Sequence, residues 1–177
     1  RLLAGAHMTE TLRAWPALAD VALMPPIVIV GGWRTGTTFL FRLLGSDPRL
    51  HGPLPAELSA PRRFPGMDAS ARAQFIDKAA HVHERLHVLN PVMAAVHPSG
   101  PRLAEECVLA MGTDFRNWGF TSTVCLDAYA GWLASEDLGG SYSRYREVLR
   151  VLASDAPGNV CAITYFGRNT GWAKKAL

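Results

Sequence analysis

Four β-branched residues in a row, Ile27-Val28-Ile29-Val30, run straight into the glycine loop Gly31-Gly32-Trp33-Arg34-Thr35-Gly36-Thr37-Thr38. Such side chains suit a pleated surface, and a run without polar alternation predicts a strand buried on both faces. Pro25 and Pro26 mark its entry. Beyond the loop, apolar residues at 39, 40, 43 and 44 recur at helical spacing, and Gly45 and Pro48 stop the pattern. Strand, glycine turn, helix is the order in which a chain cradles phosphate. The turn's N–H groups form a concave nest and the helix start adds its positive end. A Cβ at Gly31 or Gly36 would restrict the backbone or hold an anion away.

The spacing Gly31-x-x-x-x-Gly36 is that of a phosphate-binding loop, but the lysine that follows the second glycine in such loops is replaced by Thr37. That lysine neutralises terminal phosphates, and a hydroxyl with a distal acidic residue holds Mg²⁺. No strand ending in Asp is evident to complete a metal site. Arg34 sits inside the loop instead, where its guanidinium offers two parallel donors to a phosphoryl or sulfuryl group. The anion-binding set is therefore Gly32, Trp33, Arg34, Thr35, Gly36, Thr37 and Thr38. The plainer alternative is a glycine turn joining strand to helix with no ligand.

The 177 residues suit one domain, 1–177. With 49% apolar and 19% charged residues the composition is that of a soluble globular protein. A net charge of +3 is too small to argue nucleic-acid binding. No apolar stretch approaches the roughly 20 residues that cross a bilayer. Cys107, Cys125 and Cys161 make no disulfide framework, so a reducing, cytoplasmic setting is expected.

Helical spacing is expected over 9–24, with Thr9 as cap and Pro16 limiting or bending it, and again over 68–89 with Asp68 as N-cap. Another helix is expected to open at Glu105 and Glu106, and two more over 126–135 and 141–154, the last capped by Ser141. "VCAITYF" (160–166) reads as a second buried strand.

The stretch "IVIVGGWRTGTTFLFRLLGSDPRLHGPLPAEL" resembles the 5′-phosphosulfate loop region of bacterial sulfotransferases, in which a loop of the form Pro-Arg-Ser-Gly-Thr-Thr is followed by a Leu-rich helix, "DPR" and a glutamate. Here these are Trp33 to Thr38, Asp47-Pro48-Arg49 and Glu57. The likeness extends over 25–158, while 159–177 is atypical: a strand can still form there, but the family's Lys-Ser-Pro ending and its 3′-phosphate residues are absent, so the chain reads as truncated after the helical middle. The resemblance implies an α/β, P-loop-type three-layer parallel sheet with helices, incomplete here, with a helix-rich middle region. It implies sulfuryl transfer from 3′-phosphoadenosine 5′-phosphosulfate, without a metal, to a hydroxyl or amine of a small-molecule acceptor. Two alternatives stay open: an inactive nucleotide- or anion-binding fragment, and a P-loop small-molecule kinase.

Sulfuryl transfer needs a base for the acceptor's proton. By resemblance Glu57 is the first candidate, and its apolar, proline-lined surroundings are expected to raise its pKa. His97 is the second, with Arg34 at the meeting point of donor and acceptor. Glu105 and Glu106 fit the bland role of acids at a helix start. His81, His83 and His87 read as a solvated helix face rather than a metal site. Trp118, Tyr129, Trp132 and Tyr145 fit either helix packing or an aromatic acceptor pocket.

Overall fold

The computed structural model describes residues 2–31, 35–89, 91–111, 115–117, 119, 126–155 and 159–160. Helix α1 spans Leu2–Ala14, so Thr9 lies in its interior and caps nothing. Pro16, which has no N–H to donate, ends it, and a 3-10 turn follows over Pro16–Asp20.

Residues 21–31 then run without regular secondary structure. The strand expected over 27–30 is therefore not formed. A strand exists only where a neighbour completes its ladder of hydrogen bonds, and 27–30 joins no sheet among the described residues. Ile29 alone of the four is buried, while Ile27 and Val30 stay exposed. The sheet that does form is a two-stranded parallel ladder, β1 (Leu50–His51) against β2 (Asn159–Val160), pairing Leu50 with Asn159 and His51 with Val160. β2 begins the expected second strand, whose continuation over 161–166 lies outside the described residues. The three-layer sheet expected from the resemblance is thus represented by this ladder alone among the described residues.

Helices dominate. Helix α2 covers Thr37–Leu44, and α3 covers Pro55–Ser59 with proline at its start, where a missing N–H costs nothing. Helix α4 (Ala69–Lys78) is capped by Asp68, whose Oδ1 accepts from the Ala71 N–H at 2.8 Å. Helix α5 (Ala80–Leu89) follows after a break at Ala79, so the single helix expected over 68–89 is two. One continuous helix would need one continuous inward stripe. Ile76 of α4 is buried, but Val82, Val88 and Leu89 of α5 face outward. Helix α6 spans Pro91–Val96.

Glu105 and Glu106 open no α-helix; a single 3-10 turn, Cys107–Leu109, follows them. Helices α7 (Asp127–Ser135) and α8 (Gly139–Asp155) complete the described fold. At the start of α8 the Gly139 N–H is held by Asp137 Oδ1 at 2.7 Å, so the capping carboxylate lies upstream of Ser141.

The main core forms around α8. Its residues Tyr142, Tyr145, Val148, Leu149 and Leu152 recur at helical spacing and pack with Leu58, Phe64, Ile76 and Leu133. A second, smaller cluster holds Ile29 and Phe41, with Leu44, Leu50 and Ala104 against them. It is this small cluster that seats the glycine loop and α2.

Candidate anion loop and acid–base pairs

Gly32, Trp33 and Arg34 lie outside the described residues, and the loop is described from Thr35 onward. Gly36 stands at φ 87°, in the left-handed region, and forms the N-cap of α2 with no side chain capping the helix. An L-residue pays for that conformation, which explains glycine at this position. Gly31 is constrained sterically: a Cβ there would fall 2.6 Å from Thr37 Cγ2 and 2.8 Å from Thr35 Oγ1. Gly31 thus lies close against Thr35 and Thr37, and Gly36 leads straight into an uncapped helix start. The first-turn N–H groups of such a helix have no intrahelical partner and carry its positive end, so an anion is their natural ligand.

Phe41, 1% exposed, anchors α2 by packing against Leu50 and Ala104. Those residues immediately precede His51 and Glu105. Arg42 of the same helix donates to the carbonyl of Pro98, next to His97. One helix therefore rests on the two segments that carry the candidate bases.

In the first segment the "DPR" stretch is a local turn. Arg49 donates from Nε to Asp47 Oδ1 at 3.0 Å and from Nη2 to Oδ2 at 2.6 Å, and these bonds hold the Asp47 carboxyl down at about 2. The turn delivers His51 to Glu57. Glu57 is 1% exposed and its carboxylate is fully engaged. Oε2 accepts from the Leu54 N–H at 2.8 Å and lies 3.0 Å from His51 Nε2, while Oε1 accepts from Arg72 Nη2 at 2.8 Å. The backbone bond is a glutamate in the first turn reaching back to the start of its own helix.

The expectation that burial would raise the Glu57 pKa is overturned. Burial is the largest single influence and does push it up. The bonds from His51, Leu54 and Arg72 together outweigh it, and the carboxyl sits below the usual range. The member of this pair open to solvent is His51, whose side chain is 40% exposed. Sequence reading passed over His51, although its place six residues before Glu57 in a proline-bounded segment was visible.

The second segment holds a similar pair. His97 Nε2 lies 3.2 Å from Glu105 Oε1, and the Glu105 N–H donates to the Pro53 carbonyl at 2.9 Å, which ties this segment to the first. The bond to Glu105 raises the His97 pKa against the opposing effect of burial; Glu106 adds to the rise and Arg42 resists it. Burial pushes the Glu106 carboxyl up. Glu105 thus does more than favour a helix start: it orients an imidazole.

The remaining candidates fall elsewhere. His81 pairs with Glu84 at 3.2 Å and His87 with Ser99 Oγ at 3.2 Å. Tyr145 is core, whereas the Tyr129 and Trp132 rings meet at a tilt of 42° with centres 5.4 Å apart, and the Tyr129 hydroxyl accepts from the Asn117 N–H. Trp118 lies outside the described residues.

A family model described as "Sulfotransferase family" matches residues 25–166. The chain belongs to the sulfotransferase family. Over 64 residues it is 44% identical to omega-hydroxy-beta-dihydromenaquinone-9 sulfotransferase Stf3 of Mycobacterium tuberculosis and of Mycobacterium bovis, a match covering 36% of this chain and 14% of each relative. Among solved structures, sulfotransferase STF1 of M. tuberculosis superposes with a TM-score of 0.70 at 25% identity, covering 96% of this chain and 46% of that one. STF9 of Mycobacterium avium gives 0.71 at 23% identity, covering 97% and 45%. The chain therefore spans less than half the length of the solved structures it matches, and it shares their fold across almost all of its own length. No described helix is long and apolar enough to cross a membrane.

Proposed function

We propose that this sulfotransferase chain takes part in moving a sulfuryl group from 3′-phosphoadenosine 5′-phosphosulfate to a hydroxyl or amine of a small-molecule acceptor. The observation that carries the reading is the left-handed Gly36 opening the uncapped start of α2, in a chain of this family. In such a transfer the acceptor oxygen or nitrogen bonds to sulfur, and the bond to the bridging phosphate oxygen breaks, leaving adenosine 3′,5′-bisphosphate. The Thr37 and Thr38 N–H groups and hydroxyls bind the phosphosulfate oxygens. Arg34, with Gly32, Trp33 and Thr35 around it, meets the charge that builds on the bridging oxygen. No metal is required by this arrangement, because guanidinium and N–H dipoles supply the positive field.

Glu57 acts from behind His51. The exposed ring takes the acceptor's proton, and the buried carboxylate orients it and stabilises the imidazolium that forms, a division of labour known from triads. His97, backed by Glu105, is the second reading for the base, favoured by the contact of its segment with Arg42. Calorimetric titration with adenosine 3′,5′-bisphosphate tests the loop. Arg34→Ala is expected to weaken binding by roughly 10- to 100-fold, the loss of one charge-assisted contact. Equal affinity of the two proteins would remove Arg34 from the site.

A further inference from the structure

Between α3 and α4 lies an open cavity of about 360 Å³. Pro55, Ala56 and Ser59 form one wall, and Phe75, Lys78 and Ala79 form the other. Among the described residues it shares no lining residue with the glycine loop or with either His–Glu pair. Small side chains line much of it: Ala56, Ser59, Ala60 and Ala79 leave space that larger residues would fill.

The trough is held open. The ion pair of buried Glu57 with part-buried Arg72, at 2.8 Å, ties α3 to α4, and Arg72 in turn lies over the Phe64 ring at 4.8 Å. With its walls pinned in this way the space is pre-formed, as ligand sites usually are. Its volume is at the low end for such sites, about 300–1,000 Å³, and far too small for another helix, about 10 Å across. Water gains little there, since an ordered water needs two to four polar partners and the lining is almost wholly carbon.

Among the described residues of the lining Lys78 is the one that is charged, and Arg63 lies with its guanidinium 5.8 Å from the centre of the Phe75 ring. The neighbouring acid, Asp77, is engaged by Arg102 at 2.8 Å. We propose that this cavity binds the apolar tail of a single-chain amphiphile whose acidic end rests at Lys78. The proposal stands independently of the sulfuryl-transfer reading.

Calorimetric titration of the 177-residue chain with dodecanoate, kept below its micelle-forming concentration, is the test. Saturable one-to-one binding is expected, with none for acetate and weaker binding for dodecan-1-ol. Lys78→Glu, on an exposed position, should lower dodecanoate affinity by about tenfold and leave dodecan-1-ol unchanged. Ser59→Trp, which fills the mouth from the exposed side of α3, should abolish binding of both. Circular dichroism must show both variants folded like the parent. Binding that does not saturate, or that survives Ser59→Trp in a folded variant, overturns the site. Equal loss of dodecanoate and dodecan-1-ol in Lys78→Glu overturns the assignment of the acidic end.

Discussion

At Gly36 the constraint is conformational rather than steric, since nothing stands within 4 Å of where a Cβ would be built. Gly36→Ala is therefore expected to cost about 1–2 kcal/mol, the strain of an L-residue at positive φ. Gly36→Asn should recover part of it, because asparagine visits that region more readily. Denaturant titrations of the three proteins check both outcomes. If alanine is neutral, the left-handed loop is not the native one.

The two His–Glu pairs are expected to respond to pH in opposite windows. Glu57 is held below its ordinary value, so its contribution is present above the ordinary carboxylate range and fades as pH falls through the lowered value. Glu57→Gln should cost about 3–5 kcal/mol near neutrality, because Arg72 loses its buried partner, and the gap should close in acid. His97 is raised, so its contribution is complete below its ordinary value and is lost as pH rises through the raised one. His97→Gln should therefore matter most in mild acid and hardly at all in mild alkali. Melting curves of wild type and both variants, from acid to alkaline pH, check the crossing pattern. A pH-independent gap for either variant would separate that residue's stability role from its ionisation.

Among the elements, α2 and α8 show how far periodicity reaches. The apolar stripe at 39, 40, 43 and 44 marks α2 as a helix, and it is one. The stripe does not mark the buried face: Phe39 is 73% exposed, and Phe41, outside the stripe, is the anchor. In α8 the apolar residues and the buried face coincide, because the helix is enclosed on several sides by the main core. Leu149→Ala is accordingly expected to cost about 2–5 kcal/mol, the loss of a fully packed side chain plus the cavity it leaves. Leu43→Ala should cost well under 1 kcal/mol, as exposed substitutions typically do. Urea unfolding of the two variants makes the comparison, and similar losses would mean that α2 is covered in solution.

Taken whole, the molecule carries apolar side chains outside both cores. Met24, Ile27, Val30, Phe39, Leu40 and Leu43 are all exposed, and all flank the glycine loop in sequence. Exposed apolar side chains in this number promote association. Light scattering is expected to rise with protein concentration, and the double substitution Phe39→Lys, Leu43→Glu should suppress it without lowering the melting temperature. Unchanged scattering would locate the sticky surface elsewhere, for instance on α5, where Val82, Val88 and Leu89 are also exposed.

What the sequence determined alone was whatever depends on neighbours along the chain. Gly36 at the loop, Asp68 capping α4 and the helical spacing of α7 and α8 each follow from φ/ψ preference or from a hydrogen bond spanning a few residues. The family likeness of the loop to Glu57 belongs here too, since it rests on the order of residues. Only the tertiary structure decided what depends on distant partners. The strand expected over 27–30 needed a neighbour to complete it, and β1 found its own in residues 159–160, more than a hundred positions away. Glu57 was expected to be a carboxyl raised by burial. The fold instead supplied Arg72, fifteen residues on, together with His51 and the Leu54 N–H, and three donors outweigh the desolvation. Burial can be guessed from composition, but the hydrogen bonds that offset it are made by groups brought together only by folding.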